Sequence, residues 1–247
     1  MEIIIHGAAG RMGHMLADRA STGFAGARTV ALVDTSMPEG AAPNCYTSLD
    51  AYTGDADVVV DFSHHSATAT LLDYCVRRSL PLVIATTGQT EEELDMIAAA
   101  AEKIPIFRSA NMSVGVAVLA DLARRAAAAF PEADIEIVEI HHNQKLDVPS
   151  GTALLLATAI REVREEATLL IGRHENGKRS AQEIGIHSLR LGSEVGTHEI
   201  LISTGRETLK LKHQAENRAL FADGALTAAA FLCGKGAGLY SMKDMIG

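Results

Sequence analysis

The 247-residue sequence is poor in cysteine, has no excess of basic residues and has no long apolar run. Its three cysteines, Cys45, Cys75 and Cys233, are widely separated, which argues against a disulfide framework and against a cysteine-rich zinc site. We therefore expect no bound metal. Acidic residues outnumber basic ones by 31 to 22, the formal net charge is -9, and no basic tract stands out. Nucleic acids and anionic membranes are accordingly not expected as partners.

Segments that direct a chain to a membrane are also missing from the sequence. No stretch reaches the ~18 apolar residues that a membrane-spanning helix requires. Residues 1–7 have no basic leader and too short an apolar run for a signal peptide, so we expect a cytoplasmic protein. Hydrophobic residues make up 47% of the chain and charged residues 21%, which is typical of a globular protein with one large domain or two small ones.

Short β-branched runs alternate with helical patterns as far as Asn111. The runs predict strands at residues 3–5, 30–33, 58–60, 82–84 and 105–107. Helices are predicted at residues 11–20 and 66–78, and a third helix begins with a capping box of Thr90 and Glu93. Continuous apolar strands that alternate with helices indicate a parallel sheet covered on both faces.

The pattern changes beyond Asn111. The predicted elements are a helix at 115–130, a strand at 135–141, a helix at 149–166, strands at 184–191, 198–203 and 208–212, and a helical stretch at 220–246. Because glycines separate the last three strands, we interpret them as antiparallel. The polar residues 173–180 are expected to form a mobile loop. The fold class that follows is α/β, with a Rossmann-like parallel-sheet dinucleotide-binding domain at residues 1–112 and 223–247, plus an α+β substrate and oligomerisation domain at residues 113–222.

A turn rich in small residues follows the first predicted strand and opens the first helix. Its sequence is Gly7-Ala8-Ala9-Gly10-Arg11-Met12-Gly13. Small residues let the backbone turn sharply and approach a pyrophosphate, which the free N–H groups of a helix start can bind. Ala9 stands where the standard dinucleotide motif has its middle glycine, and for the turn alone a structural role without ligand is an equal alternative. Asp34 favours the cofactor interpretation, because an acidic residue at the end of the second strand commonly holds the ribose of NAD.

Polar residues also follow the later strands of the predicted parallel sheet. Thr86-Thr87-Gly88 follows the fourth strand and Ser109-Ala110-Asn111 follows the fifth. Ligands of open α/β sheets bind at the carboxyl ends of the strands, so these residues are candidates to line a nicotinamide, with ordinary turn chemistry as the alternative. Asp61 and Phe62 could contact the cofactor or only cap a strand. His64-His65 is expected to cap the following helix.

The second group of candidate residues is the segment His141-His142-Asn143-Gln144-Lys145-Leu146-Asp147-Val148-Pro149-Ser150-Gly151-Thr152. His141 can move protons near neutral pH, and Lys145 can donate a proton or hold an anion. The predicted helix start at residues 150–152 offers N–H groups to a carboxylate. An acid–base group, a cation and an anion site in one segment favour a small anionic substrate.

Three other interpretations compete for this segment: solvated loop histidines, metal ligands and a surface lysine. Adjacent histidines in a strand point to opposite faces, and neither a nearby cysteine nor an H-E-x-x-H pattern completes a metal site. The helix start that follows the histidines favours the substrate-site interpretation.

These motifs together resemble the dihydrodipicolinate reductase family. The turn at residues 7–13 matches the family's Gly-x-x-Gly-Arg-Met-Gly, and residues 85–88 match its Gly-Thr-Thr-Gly with Ala85 in place of the first glycine. Residues 111–116 match its Asn-Phe-Ser-x-Gly-Val with Met112 at the aromatic position. The segment from Glu139 to Ala153 matches the family's substrate loop nearly throughout. The resemblance continues to the terminal Gly234-Lys235-x-x-Gly238-Leu239-Tyr240 with Met242-x-Asp244.

The resemblance implies a two-domain homotetramer of the lysine and diaminopimelate pathway. It would reduce 4-hydroxy-tetrahydrodipicolinate, the product of dihydrodipicolinate synthase, to tetrahydrodipicolinate with NADH or NADPH. It also implies that His141 is the proton donor and acceptor and that Lys145 is a proton donor. The residues implied to hold the dicarboxylate substrate are His142, Lys145, Ser150, Gly151 and Thr152. The residues implied to contact the cofactor are Gly7, Ala8, Ala9, Gly10, Arg11, Met12, Asp34, Ala85, Thr86, Thr87, Ser109, Ala110, Asn111 and Met112.

The preferred cofactor and the function have alternatives. Family members that use NADPH well often carry a basic residue just after the acidic one, whereas no base follows Asp34 before Gly40. We therefore expect NADH to serve at least as well as NADPH. Another two-domain nicotinamide enzyme, such as an amino-acid dehydrogenase, and a non-catalytic nucleotide-sensing protein stay open as functions. Turnover of the synthase product distinguishes the reductase from both.

Overall fold

The computed structural model describes residues 1–37 and 42–247. The chain folds into two compact units, one made of residues 1–113 with 219–247 and the other of residues 114–218. Each unit contains a cluster of buried apolar side chains of its own. No helix in the described ranges is long and apolar enough to cross a membrane.

The first unit is built on a parallel sheet. Its strands are β1 (Glu2–His6), β2 (Arg28–Val33), β3 (Cys45–Tyr46), β4 (Val58–Asp61), β5 (Leu82–Ile84), β6 (Pro105–Arg108) and β12 (Gly238–Tyr240). Its α-helices are α1 (Arg11–Ser21), α2 (Thr68–Arg78), α3 (Glu91–Ala101), α6 (Ala219–Leu232) and α7 (Met242–Ile246). The strand order is β12-β6-β5-β4-β1-β2-β3, and every neighbouring pair is parallel. The predicted Rossmann-like parallel sheet is confirmed.

Both faces of this sheet are covered by helices. Successive residues of a strand point to opposite faces. Ile106 belongs to the buried cluster that contains side chains of α2 and α3, whereas the ring of the next residue, Phe107, lies 6.1 Å from Phe231 on α6. The strand order reverses direction between β1 and β4, which in open α/β sheets is where ligands bind, at the carboxyl ends of the strands.

The second unit packs helices against a mixed sheet. Its elements are α4 (Val114–Ala129), β7 (Asp134–His141), α5 (Gly151–Arg161), β8 (Thr168–Ile171), β9 (Glu183–Arg190), β10 (Gly196–Ser203) and β11 (Thr208–Ala215). The strand order is β11-β10-β7-β9-β8. Apolar residues of α4 and α5 share one buried cluster with alternate residues of β7, including Ile135 and Ile137. Glu139 and His141 therefore lie on the helix-covered face of β7.

The prediction of three antiparallel strands is wrong for the first of them. β9 pairs in parallel with both β7 and β8, whereas β10 pairs antiparallel with β7 and with β11. The glycine-containing connection from β9 to β10 does not form a hairpin, because β7 lies between these two strands. Parallel pairing of β7 with β9 is possible because α5 and β8 form the long connection that it requires. The short edge strand β8 was missed from the sequence.

Two predicted helix ranges also differ from the structure. The helix that begins after Ser150 ends at Arg161 rather than near residue 166. The stretch 220–246 is not one helix: it divides into α6, β12 and α7. Glycines at 234, 236 and 238 explain the break, and Gly234 has a positive φ of 79° that ends the helix. The capping box of Thr90 and Glu93 at the start of α3 is present as predicted.

Candidate active site

The turn between β1 and α1 requires glycine at two positions. Gly7 has a φ of +82°, and a Cβ there would lie 2.6 Å from backbone atoms of Phe62 and Ser63. A Cβ on Gly13 would lie 2.3 Å from the carbonyl oxygen of Gly7. Both contacts are far closer than carbon atoms allow, so α1 can lie against the turn only without these side chains. The resulting cradle of small residues at a helix start fits the pyrophosphate of a dinucleotide.

Asp34 is held by hydrogen bonds that link the end of β2 to this turn. The backbone N–H of Ala9 donates to Oδ2 of Asp34 at 3.1 Å. The backbone N–H and the hydroxyl of Ser36 donate to Oδ1 at 2.9 and 2.7 Å. Burial acts to raise the pKa of Asp34, but the hydrogen bonds from Ser36 and Ala9 hold it below its ordinary value. The carboxylate is therefore ionised at neutral pH, beside the turn.

Asp61 organises the carboxyl ends of β1, β4 and β5. It is buried, and its Oδ1 lies 2.8 Å from Nδ1 of His6 and accepts from the Ser63 hydroxyl at 2.6 Å. Its Oδ2 accepts from the hydroxyl of Thr86 at 2.7 Å. These internal contacts favour the strand-end interpretation of Asp61, and they fix the orientation of Thr86.

The predicted cofactor residues after β6 form a compact turn. The hydroxyl of Ser109 donates to the carbonyl oxygen of Asn111 at 2.7 Å, and Oδ1 of Asn111 accepts from the N–H of Ser113 at 2.8 Å. A Cβ on Gly224 of α6 would lie 1.7 Å from the carbonyl oxygen of Met112, so α6 lies directly against this turn. The turn is thus well ordered by local contacts, and its role towards a cofactor stays a prediction.

The histidine pair after β4 has a capping role. Nδ1 of His64 accepts from the N–H of Ser66 at 3.3 Å at the start of the helical turn His65–Ala67, which leads into α2. Nδ1 of His65 lies 3.0 Å from Glu93, which belongs to the capping box of α3. These contacts account for both side chains without a ligand.

In the second unit, His141 is buried at the end of β7 and is paired with a carboxylate. Its Nδ1 lies 2.5 Å from Oε2 of Glu139, which is fully buried. Arg190 on β9 donates to both oxygens of Glu139 at 3.0 Å, and the N–H of Ser150 donates to Oε1 at 3.2 Å. Four hydrogen bonds thus hold one buried carboxylate.

The environment shifts the pKa values of both partners. Burial lowers the pKa of His141 below its ordinary value, although the Glu139 carboxylate acts in the opposite direction. Burial acts to raise the pKa of Glu139, but the hydrogen bonds from Arg190 and His141 hold it below its ordinary value. The pair therefore consists of an ionised carboxylate and a histidine that is neutral at neutral pH. Such a histidine can exchange a proton with a substrate.

Lys145 lies in the turn that follows β7 and is paired with a carboxylate in the free protein. Its Nζ lies 2.8 Å from Oδ1 of Asp147, and its side chain is 21% exposed. The hydrogen bond from Lys145 holds the pKa of Asp147 below its ordinary value. An anionic substrate would compete with Asp147 for this ammonium.

At the start of α5, the two predicted substrate residues Ser150 and Gly151 differ in their exposure to solvent. Ser150 is buried and its Oγ caps the helix by accepting from the N–H of Ala153 at 3.1 Å. The same Oγ lies 3.2 Å from Nε2 of His198 on β10. Gly151, by contrast, is exposed, with open space where a Cβ would stand. The exposed Gly151 at the start of α5 leaves room for a carboxylate ligand.

Comparison with known proteins gives the family. Residues 1–112 match the family description "Dihydrodipicolinate reductase, N-terminus" and residues 115–246 match "Dihydrodipicolinate reductase, C-terminus". The chain belongs to the dihydrodipicolinate reductase family.

Individual relatives of this family match the chain along its whole length. The 4-hydroxy-tetrahydrodipicolinate reductase of Caldanaerobacter subterraneus subsp. tengcongensis is 44% identical over 250 residues, which cover 100% of this chain and 98% of that protein. The same enzyme of Clostridium tetani is 41% identical over 251 residues, with 100% and 97% covered. The dipicolinate-bound dihydrodipicolinate reductase from Paenisporosarcina sp. TG-14 has a similar structure, with a TM-score of 0.82 and 28% identity over 98% of this chain and 97% of that one.

Membership of the dihydrodipicolinate reductase family confirms the resemblance that the motifs indicated. It also confirms the prediction that the protein is an oxidoreductase. The alternatives of another dehydrogenase and of a nucleotide sensor are not favoured. The family uses a nicotinamide cofactor, NAD or NADP, and the glycine turn with Asp34 fits one. Within residues 1–37 and 42–247, no group of three or more His, Cys, Asp or Glu side chains is placed to hold a metal ion.

Three residues around the predicted reductase site were not singled out from the sequence. Arg190 binds Glu139, His198 contacts Ser150, and Arg218 has Nη2 3.3 Å from Nε2 of His142. They lie 48 to 76 positions from their partners in the chain. Local motifs carry no signal for such contacts, since the pairing of β7 with β9 and β10 creates those of Arg190 and His198. Burial lowers the pKa of His198 to about 4, so this side chain stays neutral at neutral pH.

Proposed function

We propose that this chain reduces 4-hydroxy-tetrahydrodipicolinate to tetrahydrodipicolinate in lysine and diaminopimelate biosynthesis. The observation that carries the proposal is the arrangement of side chains at the end of β7. The relatives that match this chain over nearly their full length are named as this enzyme. There, His141 is paired with an ionised Glu139, and the exposed start of α5 follows within the same unit. This arrangement provides a proton-transfer group and a carboxylate site, which an unsaturated cyclic dicarboxylate needs.

Each predicted substrate residue has a distinct part in this proposal. His141 exchanges a proton with the substrate through Nε2, since Nδ1 is bound to Glu139. Lys145 exchanges Asp147 for a substrate carboxylate and donates a proton. His142, Gly151 and Thr152 hold the dicarboxylate, with the hydroxyl of Ser150 at the edge of the site.

The cofactor in this proposal binds to the first unit. When bound, its nicotinamide supplies the hydride that reduces the substrate. The residues proposed to hold it are Gly7, Ala8, Ala9, Gly10, Arg11, Met12, Asp34, Ala85, Thr86, Thr87, Ser109, Ala110, Asn111 and Met112. Asp34 is proposed to accept hydrogen bonds from the ribose hydroxyls of NADH, so that NADH serves at least as well as NADPH. The segment that follows Asp34 has no basic residue before Gly40, and its residues 38–41 lie outside the described residues.

A homotetramer, active in the cytoplasm, completes the proposed function. The face of the second sheet opposite α4 and α5 supports an assembly of copies, since Leu189 is 44% exposed there and its neighbours Ile140 and Val138 are partly exposed. Apolar side chains on a sheet face are commonly covered by a second copy. Analytical ultracentrifugation of the purified chain tests this: a mass of four chains is expected, and a monomer would contradict it.

The activity is tested by a coupled assay with dihydrodipicolinate synthase. The purified chain, pyruvate and aspartate semialdehyde are mixed with NADH or NADPH, and the loss of nicotinamide absorbance is followed only after the synthase is added. Oxidation that depends on the synthase is expected with the wild-type chain and is strongly reduced in His141→Ala. Absence of turnover with both cofactors would overturn the proposal.

A further inference from the structure

We infer that Glu139 is a positioning residue that fixes which nitrogen of His141 faces the substrate and joins this histidine to the carboxylate-binding start of α5. The inference rests on the proposed function, because it concerns the same site. Arg190 is the partner that makes the arrangement possible.

The first observation is that a fully buried carboxylate occupies a position in the row of otherwise apolar side chains on one face of β7. Glu139 follows Ile135 and Ile137 on the helix-covered face of β7, and all three are 0% exposed. An apolar side chain would continue this core without the desolvation cost of a charge. The carboxylate is instead compensated by Arg190, whose guanidinium donates to both of its oxygens at 3.0 Å. A buried ion pair at this place therefore suggests a function other than stability.

The second observation concerns the direction of the His141 ring. An ionised carboxylate only accepts hydrogen bonds, so the 2.5 Å contact with Oε2 of Glu139 places a proton on Nδ1 of His141. In the neutral ring, Nε2 is then the basic atom. Gly196, which lies opposite on β10, leaves room for this edge of the ring, since a Cβ there would stand 3.1 Å from Nε2. The carboxylate thus sets both the tautomer and the orientation of the ring.

The third observation is that the same ion pair reaches the other parts of the site. Oε1 of Glu139 accepts from the N–H of Ser150, the residue that caps α5. Nη2 of Arg190 also donates to the carbonyl oxygen of Asp147 at 2.7 Å, in the turn that carries Lys145. The proton-transfer group, the helix start and the lysine turn are therefore fixed relative to one another through one buried pair.

The variant that tests the inference is Glu139→Gln, which keeps the shape of the side chain and removes its charge. The charged groups that face His141 are Glu139, Lys145 and Arg190, and the neutral ring of His198 lies 5.1 Å away. Of these, Glu139 alone favours the protonated ring, so its loss is expected to lower the pKa of His141. We expect kcat to fall roughly 10- to 100-fold, the size of one lost charge-assisted hydrogen bond. Cofactor affinity is expected to stay unchanged.

Two readouts separate positioning from a general structural effect. Nitrogen-15 NMR of histidine-labelled protein reports the tautomer and the titration of His141 directly: the wild type is expected to carry the Nδ1 proton, and Glu139→Gln to show a mixture of tautomers and a lower pKa. In a His141→Ala background, Glu139→Gln is expected to add little to the loss of kcat, because both changes affect one unit. Glu139→Asp, which retains the charge, should recover part of kcat.

Glu136→Gln is the matched control, because Glu136 lies on the same strand but on its opposite face, paired with Arg179 and His187. It is expected to keep the kcat and the His141 titration of the wild type. The same tautomer and pKa of His141 in Glu139→Gln, or full additivity with His141→Ala, would overturn the inference. Because the NMR readout needs no turnover, it also distinguishes failure of the inference from failure of the proposed activity.

Discussion

The ammonium of Lys145 lies 2.8 Å from the carboxylate of Asp147, two residues further along the same turn. Asp147 is largely exposed, with 59% of its side chain accessible. The ion pair therefore forms at the surface of the site, where such pairs contribute about 0–1 kcal/mol. A substrate carboxylate can displace Asp147 at this modest cost, so the pair keeps Lys145 oriented without preventing binding.

Asp147→Asn is expected to strengthen the binding of dianionic ligands. The change removes a competitor for Lys145 and a negative charge that repels the ligand. Since the ion pair is exposed, the dissociation constant of pyridine-2,6-dicarboxylate should fall by no more than about fivefold. Titration calorimetry at two salt concentrations measures this, with a smaller effect at high salt. Weaker binding would show that Asp147 acts mainly by ordering the turn.

Lys145→Ala is expected to impair binding and turnover together. The ammonium is proposed to hold a carboxylate in both the ground state and the transition state and to donate a proton, so KM should rise while kcat falls. NADH affinity should be retained, because the glycine turn belongs to the other unit. Steady-state kinetics and a direct NADH titration check both expectations. Loss of NADH affinity would mean that the proposed division between the units is incorrect.

His141→Ala is expected to lower kcat by roughly 10²–10⁴-fold, as for other general acid–base residues. KM should change little, because the carboxylate-binding groups are retained. Circular dichroism serves as the control for folding, since the change leaves Glu139 paired with Arg190 but without its histidine. Near-normal turnover in this variant would remove His141 as the proton-transfer group.

Planar pyridine-2,6-dicarboxylate is expected to inhibit competitively against substrate. The single-carboxylate analogue, pyridine-2-carboxylate, should bind more weakly, because a charge-assisted hydrogen bond contributes about 1.5–3 kcal/mol. Comparison of the two inhibition constants in the coupled assay measures the difference. Equal constants would argue against separate sites for the two carboxylates.

NADH is expected to be at least as good a cofactor as NADPH, judged by kcat/KM. The ionised Asp34, held by Ser36 and Ala9, would repel the 2′-phosphate of NADPH. Asp34→Asn retains the shape and removes the charge, so it should shift the ratio towards NADPH. A clear NADPH preference in the wild type would contradict this prediction and direct attention to Arg11 as the cation.

Local signals in the sequence determined a large part of this protein. The turn at residues 7–13, the capping box of α3 and the proposed substrate segment each consist of residues within a few positions of one another, so these patterns could be recognised directly. Alternating runs predicted the parallel sheet, because strands buried on both faces are apolar throughout. Family membership followed from the same motifs.

Only the tertiary structure decided the order of strands in the second unit and the surroundings of His141. Glycine-separated runs indicated adjacent antiparallel strands, but the insertion of β7 between β9 and β10 makes β9 parallel. The pairing of β7 with β9 places Arg190 beside Glu139, 51 positions away, and the pairing of β7 with β10 brings His198 to Ser150. Such contacts depend on the register of long-range strand pairs, which is a property of the whole sheet and is not encoded in any single segment.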